Sequence, residues 1–163
     1  PEWQYIPWVQ GRVAIQNQQY WKSIGADYIY YDQGPLPGYY EPQDDYDLRW
    51  PLWYVASKGM WDGSLTGEQI LYEACTKLYG SAADVMFAYY KALADSSEQC
   101  RADSTCWIPC KPSEMYTVER VEIINAAIEA AKTKYDSVTE DQKQRMENQF
   151  EIWNKALFMI DYY

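Results

Sequence analysis

From Asp47 to Tyr162 the apolar residues return at three- and four-residue intervals, a spacing that gathers them on one side of an α-helix and suits no strand. Leu48, Leu52, Val55 and Gly59 open the pattern, with Asp44 or Asp45 available as an acidic cap and Pro51 expected near the first turn. Thr66-Gly-Glu-Gln69 matches a capping box, and the helix it opens carries Ile70, Leu71, Ala74, Cys75 and Leu78 before Gly80 ends it as a left-handed cap. Ser81 is expected to cap the next helix, whose apolar face is Val85, Met86, Tyr89, Tyr90 and Leu93. Met115–Tyr135 and Thr139–Tyr162 then read as two long helices around a turn at Asp136-Ser-Val, pairing as an antiparallel hairpin. Their stripes are Val118, Val121, Ile124, Ala127, Ile128 and Ala131 on the first, and Met146, Phe150, Trp153, Leu157 and Ile160 on the second. Trp50, Trp53, Trp61 and Trp153 fall on helix faces and are expected in the core.

The first 46 residues have a different grammar. Val13–Ile24 reads as a helix, Gly25 as a turn, and Tyr28-Ile-Tyr-Tyr31 as a buried strand by its aromatic and β-branched content. Asp32, Gln33, Gly34 and Pro35 follow as an abrupt polar turn. Helix, glycine turn, strand and polar loop in that order suit α/β barrels and open sheets, where ligands sit at the carboxyl ends of strands. The expected fold is therefore mainly α: a βα unit in residues 1–46, then a helical domain in residues 47–163.

At 163 residues the chain is long enough for one ordinary domain. Its net charge of −10 removes the attraction to phosphates that drives nucleic-acid binding, so neither nucleic acid nor anionic membrane is an expected partner. No apolar run reaches the length of a membrane span, and Pro1-Glu-Trp3 is no signal peptide, as expected of a mature or excised piece. The chain has no His, which excludes Ser-His-Asp and Cys-His nucleophile systems and His-bearing zinc sites within it. Cys75, Cys100, Cys106 and Cys110 form an even set, three of them in a loop rich in Ser, Asp and Pro. That favours disulfides and an oxidising compartment over free thiols or a zinc site, the last because the paired C-x-x-C knuckles of a thiolate site are missing. Four cysteines allow three pairings; Cys75 is the expected distant partner, since its helix can pack beside the loop.

Three stretches carry a family resemblance: Tyr20-Trp-Lys-Ser-Ile-Gly-Ala-Asp-Tyr-Ile-Tyr-Tyr-Asp-Gln-Gly34, Asp47-Leu-Arg-Trp-Pro-Leu-Trp-Tyr-Val-Ala-Ser-Lys-Gly-Met-Trp-Asp62, and Leu78-Tyr-Gly-Ser-Ala-Ala83. Together they resemble the C-terminal part of the secreted bacterial family termed domain of unknown function 4838, itself related in architecture to α-glucuronidase-type glycoside hydrolases. The resemblance implies that Tyr28–Tyr31 is the last strand of a (β/α)8 barrel and that the rest is the helical domain following it. It also implies a secreted, periplasmic or cell-surface location. The acid and base carboxylates of such enzymes lie on earlier strands, so no catalytic residue and no cofactor is carried over.

For binding, Asp32 and Gln33 at the strand end, with Trp3, Trp8, Tyr39 and Tyr40 around it, suit a sugar: rings stack on the apolar face of a pyranose while polar groups reach its hydroxyls. Tyr5 belongs to the same aromatic set, and Asp32 and Glu41 are the one acidic pair flanking the loop. The plainer reading is that Asp32 caps the turn before Pro35, that Glu41 is solvated, that Asp27 is structural and that the aromatics fill a core. The expected function is the C-terminal portion of a glycoside-hydrolase-like carbohydrate-active protein, lending a rim loop and helical support beside an upstream barrel and inactive alone. The rival is a self-contained secreted helical module for binding, assembly or self-association.

Overall fold

The computed structural model describes residues 7, 11–29, 42–98 and 111–162, with the side chains of 42–46, 161 and 162 outside that description. Among the described residues the chain is helical and contains no strand. Helix α1 spans Gly11–Ser23, α2 Pro42–Trp61, α3 Gly67–Tyr79, α4 Ala83–Glu98, the single turn α5 Pro112–Met115, α6 Val118–Lys132 and α7 Glu140–Tyr162; short 3-10 turns at Gly80–Ala82 and Tyr135–Ser137 join α3 to α4 and α6 to α7.

Local chemistry explains most of the boundaries. The Thr66 hydroxyl accepts from the Gln69 N–H at 3.2 Å while the Thr66 N–H donates to Gln69 Oε1 at 2.9 Å, the reciprocal capping box expected at the start of α3. Thr139 and Gln142 repeat it ahead of α7, at 3.3 and 3.0 Å. Gly80 adopts φ +55° and donates its N–H to the Thr76 carbonyl, and a Cβ there would meet the Gln142 amide at 2.8 Å. Ser81 does not cap α4 as its position suggested. The turn at Gly80 carries the chain through a 3-10 segment first, and the Ser81 hydroxyl donates instead to the Ser137 carbonyl at 2.5 Å, tying the two helix connections together.

Helix α2 begins five residues earlier than the apolar spacing indicated, with Pro42 at the first helical position, where a missing N–H costs nothing. Pro51 therefore lies inside the helix rather than in its first turn. A proline there removes the hydrogen bond to the carbonyl four residues back, that of Asp47. Gln149 of α7 supplies the replacement, donating Nε2–H to the Asp47 carbonyl oxygen at 3.1 Å.

The core accounts for much of the aromatic content. Trp153, Tyr79, Tyr89, Tyr90 and Tyr116 are fully buried beside Ile70, Met86, Leu93, Ile124 and Met146. Edge-on ring contacts link Trp50 to Tyr90 and Tyr90 to Tyr89 at 5.1 Å, Tyr89 to Phe150 at 5.7 Å, and Tyr116 to Trp153 at 5.2 Å. Each buried hydroxyl is satisfied: Tyr79 and Tyr90 share a bond of 2.7 Å, Tyr89 donates to the Gln149 carbonyl and Tyr116 to that of Pro7.

The last two helices depart from a simple hairpin. Ile124, Ile128, Phe150 and Trp153 face inward as expected, Leu157 is half-buried, and Val118 is exposed. Helix α6 packs most extensively on α4, whereas α7 lies along α2, α3 and α5. The two helices meet through side chains, chiefly the Trp153 indole N–H donating to Asn125 Oδ1 at 2.8 Å. Helix α1, in turn, packs on α2 and α3 and contributes Ile15 to the same core.

Where α1 and α3 cross, a Cβ on Gly67 would stand 3.0 Å from backbone atoms of Gly11 and Arg12. An alanine in a helix normally stabilises relative to glycine, but here the neighbour is backbone and cannot swing aside. Gly67→Ala is expected to destabilise by about 1–3 kcal/mol through overpacking. Gly63→Ala, whose Cβ would lie 3.9 Å from the Gly59 carbonyl oxygen, serves as the tolerant control. Thermal melts of both variants check the sign.

Candidate functional site

Helix α1 ends in a pair of bonds that send the chain sharply outward. Gly25, at φ +87°, donates to the Lys22 carbonyl at 3.2 Å, and the Ala26 N–H reaches the Trp21 carbonyl at 3.0 Å. The strand expected at Tyr28–Tyr31 is not formed in its described part: residues 26–29 have no ladder partner, and Tyr28 is 95% exposed rather than buried. A strand buries its rings only against a sheet, and no described element offers one.

Helix α2 ends beside this exit. Asp62 closes it, accepting from the Ser64 N–H at 3.0 Å and from the Ser64 hydroxyl at 2.6 Å, bonds that hold the Asp62 carboxyl below the usual carboxylate range. Trp61, expected in the core, is the final residue of α2 and is 92% exposed. Gly59 makes the floor, since a Cβ on it would fall 2.0 Å from Ile15 Cδ1 and 2.5 Å from Gln18 Oε1. Between the two helix ends lies a cleft of about 450 Å³. Ile15, Gln18 and Gly59 line its base, Lys22, Asp27, Tyr28 and Ile29 one flank, and Met60 and Trp61 the other. Gln18 is buried and donates to the Ala56 carbonyl at 2.9 Å, and Gln19 reaches the Gly63 carbonyl at 3.2 Å. The surface thus offers rings, amides, one ammonium and one carboxylate.

A second groove, of about 510 Å³, runs between α2 and α3 and is walled by Trp50, Trp53, Tyr54, Ala74 and Leu78, with Ser57 and Lys77 as its polar lining. Its edge carries Glu73, bonded to Lys77 and 3.3 Å from Lys58, two ammonium groups that hold its carboxyl below the usual range.

At the opposite end of α1, Arg12 clamps three carboxylates: Nη2 lies 2.6 Å from Asp95, Nε 2.6 Å from Glu98 and Nη1 3.2 Å from Glu68. Lys91 adds a bond of 2.8 Å to Asp95. Desolvation would raise Asp95, yet the bonds from Lys91 and Arg12 prevail and hold it below the usual range. At Glu98, which is more deeply set, desolvation prevails and the carboxyl is raised despite Arg12.

Among the sequence-derived candidates, Trp3, Trp8, Asp32, Gln33, Tyr39, Tyr40, Cys100, Cys106 and Cys110 lie outside the described residues, as do Tyr5 and Glu41. Cys75 was expected in a disulfide; in the structure it is a free thiol sealed in the core of α3, and burial pushes it up to about 12. Among the described residues there is no group of acidic or cysteine side chains that could hold a metal ion, and no helix long and apolar enough to cross a membrane. Sequence reasoning missed the Trp61–Tyr28 cleft, though Asp62-Gly-Ser64 directly after Trp61 is a turn signal that puts the ring at a helix end. No protein-family model, no curated protein and no solved structure matches the chain.

Proposed function

We propose that the chain is the C-terminal helical portion of a secreted, carbohydrate-active protein of glycoside-hydrolase type, supplying support and one rim loop of a sugar site. The observation that carries this reading is where the candidate loop begins. Ile29 lines the cleft, so the segment bearing Asp32, Gln33, Tyr39 and Tyr40 sets out from the edge of a surface that already presents Tyr28 and Trp61. Rings with polar groups interspersed are what a pyranose requires, and the resemblance of Tyr20–Gly34 and Asp47–Asp62 to the family named above supports the reading by implying an upstream barrel.

Hydrolysis needs two carboxyl groups set across the scissile bond. The described lining of the cleft holds one, Asp27. The isolated chain is therefore expected to bind oligosaccharides without cleaving them. Incubation with a panel of acidic and neutral oligosaccharides, read by product chromatography, checks this; robust turnover overturns the support role, and failure of a longer protein with its upstream barrel to bind any glycan overturns the carbohydrate reading.

The apolar groove between α2 and α3 favours a second reading, a self-contained helical module for assembly. Sedimentation velocity separates them: concentration-dependent self-association abolished by Trp53→Ser would favour assembly, and a monomer at all concentrations the first reading.

A further inference from the structure

We infer that the cleft between the ends of α1 and α2 is itself a saccharide subsite, with Trp61 and Tyr28 as stacking rings and a neutral pyranose chain as its ligand. The inference rests on the carbohydrate reading above and deepens it, giving the cleft at the start of the candidate loop a binding role of its own and a ligand class.

Three properties of the cleft select the ligand class. Trp61 and Tyr28 are 92% and 95% exposed on opposite flanks, so both present a free π-face at no packing cost to the fold. Gln19, Lys22 and Asp27 line the same cleft. A wholly apolar occupant would strip these groups of water without returning a hydrogen bond, a penalty that is largest for the charged ones. A sugar hydroxyl both donates and accepts, and so answers amide, ammonium and carboxylate alike. Nucleobases also stack on rings, but their phosphates would approach a chain of net charge −10. The lining carries one cation and one anion, Lys22 and Asp27, and so no net charge, which favours an uncharged sugar over a uronate. The volume, about 450 Å³, falls within the ordinary range for small-ligand sites.

The geometry also makes the test clean. Tyr28 stands beyond the end of α1, in a segment without helix or strand, and Trp61 is the last residue of α2, so alanine at either position removes a ring without opening a core cavity. The full chain, labelled at its Trp indoles, is titrated with cello-, xylo-, manno- and malto-oligosaccharides and followed by NMR. The expected result is a shift of the Trp61 indole resonance with one of these series, and a weakening of about 3- to 10-fold in Trp61→Ala and in Tyr28→Ala, with the melting temperature unchanged. Tyr39→Ala is the companion variant. Binding that is lost in Tyr39→Ala yet indifferent to Trp61→Ala and Tyr28→Ala would overturn the subsite while leaving the carbohydrate reading in place. No binding of any series by the unmodified chain would overturn the subsite, and the carbohydrate reading falls with it if a longer protein with its upstream barrel also binds no glycan.

Discussion

Replacing Trp153 by Ala will lower the unfolding free energy by about 3–5 kcal/mol, the range for removing a large buried aromatic. The ring is fully buried, rests edge-on against Tyr116 at 5.2 Å, and gives its N–H to Asn125 Oδ1 at 2.8 Å. Alanine leaves a hole where α5, α6 and α7 meet and an Asn125 amide without its donor. Since a domain of this size has about 5–15 kcal/mol in total, the variant should sit near the edge of folding at 37 °C. Urea titration followed by circular dichroism measures the loss, and Trp153→Phe divides it: the phenyl ring keeps most of the packing and forfeits the bond to Asn125, so about 1–2 kcal/mol is expected. A loss below 1 kcal/mol in Trp153→Ala would mean that the helices close over the gap.

Arg12→Met is the second large effect, and it also has a pH signature. Methionine keeps the aliphatic bulk but leaves Asp95, Glu98 and Glu68 facing one another with Lys91 as the remaining described cation. Glu98 Oε1 is already buried without a hydrogen-bond partner among the described residues, so removing the Arg12 guanidinium takes away the carboxylate's ion pair and leaves it the backbone N–H of residue 12. Breaking a fully buried pair costs about 3–5 kcal/mol; the Arg12 side chain is 30% exposed, and about 2 kcal/mol is the discounted expectation. The two shifted carboxyls act in opposite senses. Asp95, held below its unfolded value, adds stability above that value and loses it as pH falls through the depressed one. Glu98, raised above its unfolded value, adds stability below that value and loses it as pH rises through the raised one. The clamp is accordingly most favourable in the mildly acidic interval between them. Stability of Arg12→Met should recover as acid protonates the stranded carboxyls, and Arg12→Met with Glu98→Gln should regain part of the loss at neutral pH. Denaturant titrations at several pH values test both expectations.

How far the chain could be read in advance depended on the range of the forces involved. Helix α3 was legible because Thr66, Gln69 and Gly80 determine its ends through bonds spanning a few residues. The inward stripe of α7 was legible because Met146, Phe150 and Trp153 repeat with the helical period. The start of α2 was not, since Pro51 reads locally as a first-turn residue and its tolerance inside the helix depends on Gln149, distant in sequence. Trp61 and Tyr28 were misplaced for a related reason: a ring in an apolar run reads as buried, and only tertiary packing decides whether a neighbour is there to cover it. The partner choice of α6, drawn to α4 more than to its sequence neighbour α7, is likewise a matter of global packing. Asp32, Gln33, Tyr39, Tyr40, Trp3 and Trp8, the residues expected to bind sugar, lie outside the described residues, and the cleft is lined by Ile29, a few residues before Asp32 in sequence.

The bond from Gln149 to Asp47 has a consequence for how the protein is made. Its two ends are 102 residues apart, and at about 5–20 residues per second on the ribosome several seconds separate the appearance of the proline-broken helix from that of the amide that completes it. A nascent chain halted before Gln149 would lack the amide that bonds the Asp47 carbonyl and the Trp153 ring that fills the core. Helix α7, made after the helices it packs on, is thus the element that completes both the broken ladder of α2 and the core around Trp153.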